Sequence, residues 1–380
     1  MIQIKSDKIV VGERLVDGYL YLEDGKVKEV STRNIPCAES YDYTGCYVSP
    51  GFIDMHTHGG GGYPFMEGTV EDVIGACNFH LTHGTTCILP TVSTAAFSVM
   101  REAALSIKKA MESGKAPTAL GIHMEGPYFS VKQCGAQNTD FITPPVKEEY
   151  ETLIAECGDA MKRWSYAPEY DEDAAFCKYL TDHGIIASVG HSDAIYDDLK
   201  LAMKNGLNLV THLYSCTSTI TRDHGFRRLG VIETAYLEDD LYVEIICDGK
   251  HLPPELIRMI LKCKDTDKVA LITDSMEIAG TTETRRFISG REFLVEDGVC
   301  KLMDRSAFAG SIATADVLIR TLVKDCDVAV PTAVKMLSKV PAEILQVNKG
   351  ELKAGRDADV VIFDEDIAIK GVFLAGKKVH

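Results

Sequence analysis

Eight short apolar runs, each closing on a polar or glycine-flanked residue and each followed by a stretch long enough for a helix, limit most strongly what this chain can fold into. They are Tyr47–His56, Cys87–Val92, Leu120–Glu125, Trp164–Glu169, Ile185–His191, Leu207–His212, Leu241–Asp248 and Val269–Asp274. Such alternation builds parallel strands joined by helices, as a closed (β/α)8 TIM-like barrel or as an open doubly wound sheet. The barrel is preferred, because nearly every run finishes on a candidate ligand or acid and barrel enzymes place their chemistry at the C-terminal ends of their strands. Residues 49–344, roughly 290 positions, are a sufficient length for one.

The ends of the chain have a different rhythm. Residues 1–48 alternate apolar and polar side chains around turn signals, with Asp24-Gly25 suited to a hairpin. Residues 345–380 behave likewise in Ala358–Asp364 and Gly371–Gly376. The two ends are expected to pair into one small β-sandwich domain outside the barrel.

With 40 Lys+Arg against 56 Asp+Glu, the formal charge of −16 repels phosphate backbones and anionic membrane surfaces, so neither nucleic acid nor a membrane is an expected partner. A small anionic substrate needs a local cluster of donors to overcome that field. No apolar stretch reaches the roughly 18 residues of a membrane span, and the N-terminus reads as strand rather than signal peptide. The 12 Cys are scattered singly with no CxxC pair, which fits reduced thiols in a cytoplasmic protein.

The polar residues at the strand ends carry the chemistry. In His56-Thr57-His58 the two-residue period of an extended chain directs both imidazoles to one side, where they can chelate a metal or form an ordinary surface pair. Gly59–Gly62 lacks a following Gly-Lys-Ser/Thr, so it reads as a mobile loop and not as a phosphate cradle. Glu125, His191 and His212 each close an apolar run, and singly each has an ordinary structural explanation. Asp274 follows Ala270-Leu271-Ile272-Thr273, where a charge is costly without a cation or a catalytic need. In a barrel these ends share one mouth. Four His and one Glu then make a divalent-metal site for one or two ions of Zn, Fe or Mn, with Asp274 left as the proton-transfer group. His80, His83, His183, His224 and His380 have no strand-end placement and read as structural or surface residues.

The ordered motifs Pro50–His58, His123–Pro127, Gly135-Ala136-Gln137-Asn138, Val189–Ser192, Thr211–Leu213, Asp248–His251, Leu271–Asp274, Ala309-Gly310-Ser311 and Lys353–Asp359 resemble the amidohydrolase superfamily, and within it the N-acetylglucosamine-6-phosphate deacetylases. The resemblance implies a metal on Glu125, His191 and His212, a second on His56 and His58 with Glu125 shared, and Asp274 as the catalytic acid–base group. It implies substrate contacts from Ala136, Gln137, Ser215, Cys216, Arg222, Asp248, His251, Phe308, Ala309 and Gly310. Trp164–Glu169 holds no Lys for the carboxylated bridge of hydantoinase-like relatives, which favours the deacetylase branch.

Two departures stand out. The family's Asn-Ala pair is replaced by Ser215-Cys216 after Tyr214, and the usual His of the GAHN-like segment is Gln137. Arg222 is the best match for the family's phosphate-binding Arg, which in some members reaches across a dimer, with Arg227 and Arg228 as alternates. The expected enzyme is therefore a cytoplasmic, homodimeric, metal-dependent deacetylase of N-acetylglucosamine-6-phosphate. The alternatives are an amidohydrolase for another acylated substrate, such as N-acetylgalactosamine-6-phosphate or an N-acyl amino acid, and a non-catalytic barrel.

Overall fold

The computed structural model describes residues 1–288 and 291–380. Eight strands form the central sheet: β1 (Phe52–Thr57), β2 (Thr85–Val92), β3 (Ile122–Glu125), β4 (Met161–Tyr166), β5 (Ile186–Val189), β6 (Leu209–Val210), β7 (Tyr242–Ile246) and β8 (Val269–Ile272). They are hydrogen-bonded in chain order, and their pairings are parallel. The first and last meet where the Asp274 N–H donates to the His56 carbonyl at 2.9 Å and the His58 N–H to that of Ser275 at 2.8 Å. The sheet is thus closed as a (β/α)8 barrel.

The strands read as continuous apolar runs because both of their faces are covered, and all eight residues of β2 are buried. Outside, helix Phe97–Glu112 buries Met100, Ala103, Ala104, Ile107 and Ala110, the i, i+3, i+4, i+7 stripe of an amphipathic helix. Inside, Ile53, Met55, Leu89, Leu209, Ile246 and Ile272 pack with Val340, Ala342 and Ile344, so helix Lys339–Ile344 plugs the N-terminal end of the barrel. Only the opposite end is open for chemistry.

Both ends of the chain contribute to one further eight-stranded sheet, packed around Ile4, Leu20, Val48, Val360, Ile362 and Phe373. Its seam is Tyr47–Pro50, parallel to Ile2–Val11 and antiparallel to Val360–Phe363. Asp24 and Gly25, with φ of 51° and 74°, make the expected hairpin turn. The run expected to extend from Tyr47 to His56 is two strands. It breaks at Gly51, where a Cβ would lie 2.0 Å from Thr86 Oγ1, and there the chain passes from the terminal sheet into the barrel.

The fourth strand lies three residues earlier than its expected Trp164–Glu169 span. Arg163 projects into the barrel interior, a placement that apolar patterning does not anticipate. Glu169 instead falls in the 3-10 turn Pro168–Tyr170, where it accepts from Ser192 Oγ at 2.6 Å and the Asp193 N–H at 2.6 Å. Two excursions were not read from the sequence. One is an exposed ribbon, Thr221–Asp223 with Phe226–Arg228, and the other a three-stranded antiparallel sheet of Arg285–Ile288, Arg291–Glu296 and Val299–Leu302.

Candidate metal centre and chamber

Four strand ends converge around the Glu125 carboxylate, which closes a fifth. Its Oε1 lies 3.3 Å from His56 Nε2, 3.3 Å from His191 Nε2 and 3.1 Å from His212 Nε2, while Oε2 lies 3.4 Å from His58 Nε2. Asp274 Oδ1 is 3.0 Å from His58 Nε2 and 3.5 Å from His56 Nε2. The site divides into two overlapping triads, His56-His58-Glu125 and Glu125-His191-His212, either of which could hold an ion.

The tautomers show why a cation fits. His191 donates through Nδ1–H to the Gln133 carbonyl at 2.9 Å, and His212 to that of Ser215 at 3.0 Å. In each neutral ring the Nε2 then carries a lone pair, and both lone pairs face the same carboxylate oxygen. Two lone pairs so placed repel unless protons or a cation lie between. Ligand bonds of about 2.0–2.2 Å in tetrahedral array put donor atoms about 3.4 Å apart, close to the separations observed. His56 Nε2, which faces Glu125 and Asp274, is buried without a hydrogen-bond partner, as expected of a nitrogen whose lone pair is taken by an ion.

The electrostatics agree. Burial opposes the charged form of Glu125, but the His56 charge beside it holds it well below the usual carboxylate range. Burial likewise opposes the charge on Asp274, and the His56 charge and the His58 hydrogen bond outweigh it, bringing Asp274 to about 2. His56 is driven up to about 10 despite its burial, by the charges of Glu125 and Asp274. Without a metal the centre attracts a proton to serve as its cation.

The backbone is strained where these residues sit. His191, His212 and Asp274 have φ of 47°, 28° and 48°, in a left-handed region that costs a non-glycine residue on the order of 1–3 kcal/mol. Each sits just past its strand, and the reversal turns the side chain into the barrel mouth.

Above the centre opens a cavity of about 310 Å³. Of the residues expected at the site, His58, Glu125, His191, His212 and Asp274 form its floor. Ala136, Gln137, Ser215, Cys216, Phe308, Ala309, Gly310 and His251 form its walls. His56 lies beneath, fully buried. Asp248 stands behind His251 and accepts from its Nδ1–H at 2.8 Å. Arg222 does not line the cavity: it sits on the exposed ribbon with Arg227 and Arg228, where no strand carries it toward the barrel mouth.

Gln137 also has a structural connection beyond substrate contact, since its Nε2 donates to Glu125 Oε2 at 2.8 Å while its Oε1 accepts from the Thr94 N–H at 3.1 Å. His123 was not singled out from the sequence. It is buried against His56 with ring centroids 4.6 Å apart and bonds Thr91 and Ser165. Its position two residues before Glu125 on a strand puts both on one face, a signal legible in the sequence. Arg163 and Glu244 were also missed. They form a doubly hydrogen-bonded pair inside the barrel, with Arg163 Nη2 also 2.9 Å from Thr211 Oγ1.

Residues 47–379 match the amidohydrolase family. The chain belongs to that family. This amidohydrolase is a hydrolase, and it is 31% identical to the N-acetylglucosamine-6-phosphate deacetylase of Bacillus subtilis (strain 168), over 96% of this chain and 94% of that one. It is 29% identical to the N-acetylgalactosamine-6-phosphate deacetylase of Shewanella sp. (strain ANA-3), over 90% of this chain and 85% of that one. The crystal structure of N-acetyl-D-glucosamine-6-phosphate deacetylase from Mycobacterium smegmatis superposes with a TM-score of 0.93 at 28% identity, covering 100% of both chains.

Proposed function

We propose that this amidohydrolase is a metal-dependent deacetylase that hydrolyses N-acetylglucosamine-6-phosphate to glucosamine-6-phosphate and acetate. The observation that carries this reading is the convergence of four imidazoles and Asp274 on Glu125 at the floor of a sugar-sized chamber. Full-length similarity to deacetylases of amino-sugar phosphates supports it.

Glu125, His191 and His212 would hold one divalent ion, and His56 and His58 with the shared Glu125 a second. Zinc, iron(II) and manganese(II) all suit imidazole and carboxylate donors. Such an ion, when bound, supplies Lewis acidity that makes water nucleophilic near neutral pH. Asp274, held as a carboxylate beside His58, accepts the proton of the attacking water as the new C–O bond forms at the acetamide carbon. It returns that proton to nitrogen as the C–N bond breaks, so the amine leaves neutral. His251, with its Nδ1–H held by Asp248, keeps a fixed orientation on the chamber wall beside the reacting amide. Gln137 keeps Glu125 from rotating.

The 4-epimer, N-acetylgalactosamine-6-phosphate, is a second reading, favoured by the 29% identical relative that acts on it and by Ser215-Cys216 on the chamber wall. Cytoplasmic placement is supported by twelve unpaired cysteines. A homodimer is supported by the ribbon that exposes Phe226, 73% accessible, between arginines. Acetate release from both N-acetylhexosamine 6-phosphates, their unphosphorylated forms and an N-acetyl amino acid tests the assignment. Fastest turnover of N-acetylglucosamine-6-phosphate supports it, and release only from the amino acid rejects it.

A further inference from the structure

The chain carries a net charge of −16, and the chamber floor adds Glu125 and Asp274, so a dianionic substrate needs a fixed cation in reach. The arginine ribbon does not supply one to its own chamber. Among the described residues lining the cavity, Arg291 alone bears a permanent positive charge.

Arg291 opens the middle strand of the three-stranded sheet that follows β8. This sheet roofs the chamber, since its Phe293 and Cys300 pack with Ala309 against Ala136 and Met276. The guanidinium is anchored by one bond, from Nη1 to the Ala136 carbonyl at 3.2 Å. Among the described residues no carboxylate lies within ion-pair distance of it, whereas Arg285, Arg286 and Arg305 of the same sheet and its flanks are each paired with an acid. Asp304, the acid whose charge Arg291 influences, is exposed and already accepts from the Ser306 N–H and hydroxyl. An arginine keeps five N–H donors in a fork that matches phosphate oxygens, and four of them have no partner among the described residues.

We propose that Arg291 is a specificity-determining residue that binds the substrate's phosphate from within the same chain. The inference rests on the amino-sugar phosphate reading above. The residue acts at the chamber roof, opposite the metal centre, so it selects for the phosphate and takes no part in bond breaking. Its sheet packs on the Phe308–Gly310 wall through Ala309 and is bridged to it between Lys301 and Phe308.

The test is direct binding of glucose 6-phosphate and of glucose to the metal-loaded protein by calorimetry, alongside acetate release. Wild type is expected to prefer glucose 6-phosphate by at least tenfold, Arg291→Ala to lose most of that ratio, Arg291→Lys to recover part of it, and Arg222→Ala to keep it. In acetate release, Arg291→Ala should raise KM for the phosphorylated substrate far more than it lowers kcat. An unchanged binding ratio in Arg291→Ala, or its loss in Arg222→Ala alone, overturns the proposal. A wild type with no preference for the phosphate overturns it too. Failure of the deacetylase reading shows separately, as absence of acetate release from every sugar, and leaves the binding ratio to judge Arg291.

Discussion

Asp54 Oδ2 accepts the Thr273 hydroxyl at 2.6 Å, and this bond ties the first barrel strand to the last directly beneath the residues that gather at the mouth. Asp54 Oδ1 also accepts from the Thr273 N–H at 3.2 Å and the His56 N–H at 3.3 Å. One buried carboxylate therefore fixes the strand carrying His56 against the strand leading to Asp274. Closing the barrel and assembling the centre are the same event.

That placement gives a pH signature. Burial outweighs the three hydrogen bonds and raises Asp54 to about 6, above the roughly 3.9 of an unfolded Asp. The native state then binds the proton more tightly than the unfolded state, so this group's contribution to stability is full below about pH 4 and declines as pH rises through about 6. Asp54→Asn should remove that decline, making the variant relatively more stable at pH 7 than at pH 4. Chemical denaturation of both proteins at the two pH values checks the sign.

Loss of a ligand should empty the centre. In His212→Ala the Nε2 facing Glu125 disappears along with its anchor to the Ser215 carbonyl, and three-point ligation rarely survives losing one member. Metal content after dialysis should fall below half of wild type while the fold persists by circular dichroism. The pH dependence of uptake is a second check. His56 at about 10 must give up its proton to become a ligand, so metal affinity should rise with pH, by up to about tenfold per unit, through neutrality. Uptake independent of pH would contradict the picture.

Gln137 stands where the resemblance leads one to expect His, yet it grips Glu125 at 2.8 Å. Groups that orient a ligating carboxylate are worth on the order of 10–100-fold in metal affinity. Gln137→Leu, which keeps the bulk and removes the donor, should weaken metal binding by that amount in a chelator competition.

The barrel and the gathering of His56, His58, Glu125, His191 and His212 were legible because both follow from periodicity: apolar strands, and polar residues at their ends. The interior polar layer was not. Glu244 interrupts a run that the pattern treats as apolar and Arg163 falls just before one, and only their mutual pairing across the barrel makes either tolerable. No local window contains both. Arg222 shows the converse: a motif match fixed its identity but not its location, because the ribbon that carries it leaves the barrel mouth. Arg291 escaped notice because it opens an inserted sheet outside the strand-and-helix rhythm.

The buried pair makes its own prediction. Glu244→Ala leaves the Arg163 guanidinium fully enclosed without a counter-charge, at a cost of about 3–5 kcal/mol. The double variant Arg163→Met with Glu244→Leu should be much less destabilised than Glu244→Ala. Urea unfolding of the three proteins decides it, and equal losses in the single and double variants would show that the charge is not the cause.

In the proposed mechanism Asp274 carries the proton. Its carboxylate is 3.0 Å from His58 Nε2, its φ of 48° turns it toward the chamber, and Gly310 leaves no Cβ where one would press on the Asp274 carbonyl at 2.9 Å. A side chain so placed would exchange protons with a water held over Glu125. Asp274→Asn preserves shape and hydrogen-bonding capacity but cannot accept that proton, so kcat should fall by about 100-fold or more, the usual worth of general acid–base catalysis. Metal content should stay near wild type, because the two triads lack Asp274. KM should change little, since binding and proton transfer are served by different walls. A variant with full metal and near-normal kcat would remove Asp274 from the proton path and leave His251 as the remaining candidate for it.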